Sequence, residues 1–337
     1  MDEMPMIRVH CFVSCVCEAL QRAKGVDQRP FYFGVWDAPF HVTDDYVLAY
    51  HRPGSTQSFF CEWYERLYGV KIHDWYDPAL SKQENSVRAS QLIEHCAPRR
   101  NVLVMLDLFR LPERENKYNQ NPFPHYVMLR PTSEPEKWLM QDPDFRWEGV
   151  LEKQRVLDAM ASPAVDGGYY FDEESLRPAG NAAVRAYFET CLRSDHPFTE
   201  AIRTIVSAHL DGRAPAGTAG LTRALRELPA LALRKYAYEH GFAFFWRALG
   251  LDHAEFLAWC DRGEELVKRY TLVQYRAMKL AITGDRSLVP RLFDLLEEQE
   301  ALETRIKHRL TQVFRAWCSR LSSASERAGV LDPGVAQ

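Results

Sequence analysis

The chain has 337 residues, 46% hydrophobic and 26% charged, the make-up of a globular protein with ample core material rather than a disordered one. Its 42 Lys+Arg against 46 Asp+Glu leave a formal charge of −4, which argues against binding nucleic acid by phosphate neutralisation. No apolar run approaches transmembrane length, so neither nucleic acid nor membrane is expected as a partner.

The charge is uneven along the chain. Residues 1–176 hold 19 Lys+Arg and 27 Asp+Glu, whereas residues 177–337 hold 23 and 19. An acidic cleft in the first half could favour a cationic substrate. Eight cysteines are scattered over the sequence, and the opening Met1-Asp2-Glu3-Met4-Pro5 is acidic where a secretory signal needs a basic segment. A cytoplasmic protein with free thiols is therefore expected. Cys11, Cys15 and Cys17 lack a second Cys/His pair at zinc-finger spacing, so no metal site is expected.

Cys11 to Lys24 carries Phe12, Val16, Ala19 and Leu20 at helical spacing and stops at Gly25. Phe31 to Trp36 reads as a strand, Ser55 to Tyr68 as a helix, Val70 to Trp75 as a strand and Gln83 to Cys96 as a helix. Asn101 to Phe109 contains the continuous run Val102-Leu103-Val104-Met105-Leu106, suited to a strand buried on both faces. Tyr126 to Leu129 and Trp138 to Met140 read as two strands joined across a proline-bounded turn. Ala161 to Gly180, with Asp166-Gly167-Gly168, reads as turn-rich. Beyond it almost every segment has a 3.6-residue period, clearest in the steps of three and four from Leu288 to Leu321. The expected organisation is a catalytic domain over 1–165, a helical bundle over 181–325 and a frayed tail over 326–337.

Three segments of the first half carry chemistry. Val9-His10-Cys11-Phe12 places a thiol where a helix starts, and the unpaired N–H groups and dipole there stabilise a thiolate. Cys15, one turn deeper, lacks that advantage. Pro124-His125-Tyr126-Val127 sets a histidine at the start of a strand, where its ring can take the thiol proton and later return it. Trp138-Leu139-Met140-Gln141-Asp142-Pro143 ends the next strand on a carboxylate. If the two strands pair antiparallel, Asp142 comes beside His125 and can fix its tautomer and stabilise its cation.

The order Cys11, His125-Tyr126-Val127, Asp142-Pro143 resembles the papain-like fold, and within it the bacteriocin-leader peptidases and the acyltransferases related to the butirosin-assembly enzyme. The resemblance covers roughly residues 7–160. It implies an α+β fold: a papain-like, bacteriocin-leader-peptidase-like cysteine domain followed by a mostly α-helical domain. Two departures separate the chain from the peptidases. The stretch Met4-Pro5-Met6-Ile7-Arg8 lacks their oxyanion Gln, and Phe12 stands where a glycine commonly follows the cysteine. The pair His10-Cys11 and the helical second half resemble the acyltransferase branch instead.

Within that branch, Asp107-Leu108-Phe109-Arg110-Leu111-Pro112 and the run Glu113 to Asn121 look like the aryl-transferring polyamine acylases of petrobactin-type siderophore assembly. That resemblance implies transfer of an aryl acyl group, 3,4-dihydroxybenzoyl, from the phosphopantetheine thioester of an aryl carrier protein to a primary amine of spermidine or a spermidine–citrate conjugate. It implies no resident cofactor.

The loop Asp107 to Phe123 precedes His125 and is expected to line the cleft mouth. Asp107, Glu113 and Glu115 could bind polyamine ammonium groups, Tyr118, Phe123 and Phe109 could stack on an aryl group, and Asn119 or Asn121 could replace the missing oxyanion donor. Two other readings fit the sequence: a cysteine peptidase or amidase with the same triad, and a non-enzymatic protein whose helical half binds a partner.

Overall fold

The computed structural model describes residues 7–52 and 54–329. The described chain is mixed α and β, with a helical C-terminal part. In chain order its first elements are α1 (Cys11–Arg22), β1 (His41–Val42), β2 (Leu48–Ala49), α2 (Ser58–Tyr68), β3 (His73–Asp74), α3 (Lys82–Glu94) and β4 (Arg100–Asp107). They are followed by β5 (Pro124–Pro131), β6 (Lys137–Asp142), β7 (Trp147–Glu152), α4 (Lys153–Met160) and β8 (Gly168–Asp172). The remaining helices are α5 (Asn181–Cys191), α6 (Pro197–Leu210), α7 (Leu221–Ala224), α8 (Leu228–Ala232), α9 (Ala237–Leu249), α10 (His253–Thr283) and α11 (Val289–Gly329).

Contacts divide the chain into two compact units, one of Met1–Phe31 with His51–Val184 and one of Tyr32–Tyr50 with Arg185–Gln337. The first unit is built on a six-stranded antiparallel sheet of order β3-β8-β4-β5-β6-β7. Its central strand, β4, is buried along nearly its whole length, as its unbroken apolar run requires. One cluster packs Val102, Val104, Val127, Leu129 and Trp138 with residues of α3 and α4. Helix α1 lies against β5, and its Phe12 ring meets Tyr126 and Tyr169 edge-on at 5.5 and 5.1 Å.

The second unit is helical apart from the β1–β2 ribbon, whose register sets His41 opposite Ala49. Long helices α10 and α11 pack together, with α9 against both. Beneath α11 lies a buried charge cluster: Lys235 Nζ bonds both Asp37 and Glu303 at 2.7 Å, and Lys307 Nζ bonds Asp37 at 2.9 Å. Two cations for two carboxylates leave it neutral, the condition under which buried charges persist.

The structure corrects the sequence reading in several places. Phe31 to Trp36 is not a strand: Arg29–Gly34 is a 3-10 helix. Asp27 Oδ1 accepts the Arg29 N–H at 3.0 Å, the Phe31 N–H donates to Gln28 O at 3.0 Å, and Pro30 fixes its own φ. Phe31, Tyr32 and Phe33 are all fully buried, so no polar alternation reported the local geometry. The turn-rich stretch 161–180 contains β8, and β7 and α4 were also not read. Residues 326–329, expected as frayed tail, continue α11, and 330–337 lie outside the described residues.

Candidate active site

Helix α1 starts at the thiol. His10 is extended (φ −160°) and its Nδ1 accepts the Val13 N–H at 3.5 Å, a side-chain cap that makes Cys11 the first helical residue. Among the described residues the N–H groups of Cys11 and Phe12 meet no acceptor. With the helix dipole they form a positive point beside the sulfur.

The turn after β6 is tied to this helix start. Asp144 Oδ1 accepts the His10 N–H at 3.0 Å and the Ser14 hydroxyl at 2.7 Å, and Arg8 Nη1 donates to the Pro143 carbonyl at 2.7 Å. These bonds fix the end of β6, and therefore Asp142, against the N-terminus of α1.

Strands β5 and β6 pair antiparallel with Met128 opposite Gln141 and Pro131 opposite Trp138. The start of β5 therefore lies beside the end of β6. His125 Nε2 donates to Asp142 Oδ1 at 3.0 Å, and the Cys11 sulfur lies near enough to the imidazole to favour its charged form. With Nε2 engaged by Asp142, Nδ1 is the nitrogen left for sulfur. Cys11, His125 and Asp142 are thus brought together, each buried to within a few per cent.

Burial by itself draws the His125 imidazolium down. The Asp142 and Cys11 charges, with the hydrogen bond to Asp142, overcome it and raise the pKa from 6.5 to about 10. Burial likewise acts to raise Asp142, but the His125 cation, its hydrogen bond and the Arg114 guanidinium hold the carboxyl below its ordinary value. Burial, with Asp142 and Cys11 adding to it, pushes the Cys15 thiol well above its usual range. Cys15 Sγ donates to the Tyr126 carbonyl at 3.4 Å, so it is a buried thiol in a structural bond.

The sequence reading passed over Arg114. Its Nη1 donates to Asp142 Oδ2 at 2.6 Å with both side chains out of water, and its guanidinium stacks on Trp147 and Phe145, 4.9 and 5.3 Å from the ring centroids. Phe145 in turn lies 5.0 Å from the His125 ring and gives its N–H to Asp142 Oδ1 at 3.2 Å. The one available signal was an arginine inside a loop already read as cleft lining, a position that alternation cannot mark as buried.

The loop residues expected to bind substrate divide. Asp107 is buried, and its carboxylate accepts from Phe109 N–H (3.2 Å), Phe123 N–H (2.8 Å) and Ser162 Oγ (2.7 Å). It closes the loop on itself. Glu113 is ion-paired with Arg155. Glu115 and Tyr118 are exposed, and Asn119 sits exposed on a turn at φ +55° with its N–H on Phe109 O at 3.0 Å. The stretch Met4-Pro5-Met6 lies outside the described residues. Among the described residues no group of three or more His, Cys, Asp or Glu side chains is disposed to hold a metal ion, and no helix is long and apolar enough to cross a membrane.

Comparison with known proteins places this site in a family. The model described as the DUF6005 N-terminal domain matches residues 6–176, and that of the DUF6005 C-terminal domain matches residues 182–329. Petrobactin synthase of Bacillus anthracis is 41% identical over 323 residues, covering 96% of this chain and 99% of that protein. A two-domain match of this extent, joined to near full-length identity, means that the chain belongs to the DUF6005 family, together with petrobactin synthase.

Proposed function

We propose that the protein is a papain-like cysteine acyltransferase of petrobactin-type siderophore biosynthesis, moving an aryl acyl group, 3,4-dihydroxybenzoyl, from a carrier-protein thioester to a primary amine of spermidine or a spermidine–citrate conjugate. The observation that carries this reading is the constellation of a thiol on the first residue of a helix, beside a histidine that a buried carboxylate orients. The name of the full-length relative supplies the pathway.

In the first half-reaction the Cys11 thiolate attacks the thioester carbonyl, forming a new C–S bond, while the Cys11 N–H faces the oxygen that gains charge. The bond to the pantetheine sulfur breaks, and the His125 imidazolium gives that thiolate its proton. In the second half-reaction a neutral amine attacks the acyl-cysteine, His125 accepts its proton, and Cys11 leaves as the thiolate. Asp142 stabilises the imidazolium in both. The reaction needs no resident cofactor, since the phosphopantetheine arrives on the partner aryl carrier protein.

Intact-protein mass spectrometry tests this. Incubation with an aryl thioester should add the mass of one acyl group to the wild type and none to Cys11→Ala, and spermidine should then discharge the adduct as an amide. Labelling that survives in Cys11→Ala assigns the nucleophile elsewhere; discharge by water as fast as by amine makes the protein a hydrolase.

A further inference from the structure

Among the described residues, helix α10 leaves one face uncovered along its length. Leu257, Leu272, Tyr275 and Ile282 are 39%, 40%, 64% and 77% exposed. The exposed residues Asp261, Glu264, Lys268 and Lys279 fall on the same stripe. From Leu257 the positions advance by three or four through 261, 264, 268, 272, 275, 279 and 282, the spacing of a helix–helix seam. Charge is segregated along it: Asp261 and Glu264 come first, Lys268 and Lys279 follow, and no acidic residue lies between Glu265 and Asp285.

We propose that this face is the interface of a homodimer, in which α10 packs antiparallel against α10 of a second copy about a two-fold axis at the level of Tyr270. That single axis pairs the whole stripe. It sets Leu257 of one copy opposite Ile282 of the other, Asp261 opposite Lys279, Glu264 beside Tyr275, and Lys268 beside Leu272. Antiparallel pairing joins the acidic end of each stripe, at Asp261, to the basic end of its mate, at Lys279, and the self-complementary pattern is what an isologous interface requires. A parallel pairing would instead set like charges side by side. Lys268, nearest the axis, is already neutralised by Glu264 at 2.7 Å one turn before it.

Shape agrees with charge. A shallow hollow of about 360 Å³ is lined by Asp261, Glu264, Glu265, Lys268, Arg269 and Leu272. The same axis seats the protruding Tyr275 ring of the second copy over that hollow. An amphipathic Tyr hydroxyl among carboxylates and cations has partners there, while its ring covers Leu272.

Sedimentation equilibrium of the full-length protein tests the proposal. The wild type should be a dimer in the micromolar range. Lys279→Glu, which turns two attractive contacts into repulsive ones by symmetry, should weaken it about tenfold or more. The double variant Asp261→Lys/Lys279→Glu, which restores opposite charges across the seam, should recover the dimer. Ile282→Glu should give a monomer with an unchanged circular dichroism spectrum. A wild type that stays monomeric overturns the proposal. So does a dimer indifferent to Lys279→Glu and Ile282→Glu, or a double variant no better than Lys279→Glu alone.

Discussion

Asp142 Oδ2 accepts its hydrogen bond from Arg114 at 2.6 Å, and both groups are shielded from water. Arg114→Met leaves Asp142 with His125 and the Phe145 N–H as partners but removes one charged hydrogen bond, so it should cost about 1.5–3 kcal/mol in urea unfolding. It should also move the titration of the site. Removing a cation raises the proton affinity of every group around it. His125 has a folded pKa near 10 against 6.5, so its contribution to stability is complete below pH 6.5 and is lost as pH rises through about 10. In Arg114→Met that loss should shift to higher pH. The alkaline rise of the amine-dependent discharge step, which needs neutral His125, should shift with it. Arg114→Lys, which keeps the charge without the planar fork, should restore the pH profile more than the stability. A variant that is destabilised with an unmoved pH profile would make Arg114 a packing residue alone.

At the scale of elements, the sequence was legible where a residue's surroundings come from its neighbours in the chain. The start of α1 at Cys11 follows from the His10 cap, the central strand from its apolar run, and the approach of His125 to Asp142 from two consecutive strands joined by a short turn. It was illegible where burial comes from distant segments. Gly167 and Gly168 read as a turn pair, yet Gly168 opens β8 because the Trp75 ring occupies the place of a side chain: a Cβ there would fall 2.1 Å from Trp75 Cζ2. That ring cannot retreat freely, since Trp75 Nε1 donates to the Leu103 carbonyl at 3.0 Å. Gly168→Ala should therefore destabilise the first unit by about 1–3 kcal/mol, the cost of overpacking. Chemical denaturation would show it, and an unaltered midpoint would mean that the β8–β4 region yields more than its hydrogen bonds imply. Arg114 escaped notice for the same reason as β8. Its partners, Asp142, Phe145 and Trp147, lie beyond the intervening strand β5.

The charge of the whole molecule changes meaning once the fold is known. Cut serially, the first 176 residues carry the acidity. Divided by contact, the unit bearing Cys11 has 20 Lys+Arg and 24 Asp+Glu, and the helical unit has 22 of each. Asp37, Asp44 and Asp45 belong to the helical unit, and Asp37 is consumed in its buried cluster. The formal imbalance of the first unit is then half that of the serial cut, and for the proposed polyamine acceptor individual carboxylates near the site matter more than the total. Of the three acidic loop residues, Asp107 is committed to the loop's own N–H groups and Ser162, and Glu113 is paired with Arg155. Glu115 is exposed on the same loop. Glu115→Gln should therefore raise KM for spermidine several-fold at unchanged kcat, with Glu113→Gln giving the smaller effect, and added salt should reduce the wild type to the level of Glu115→Gln. Equal KM values for wild type and Glu115→Gln at low salt would place the acceptor amine away from this loop.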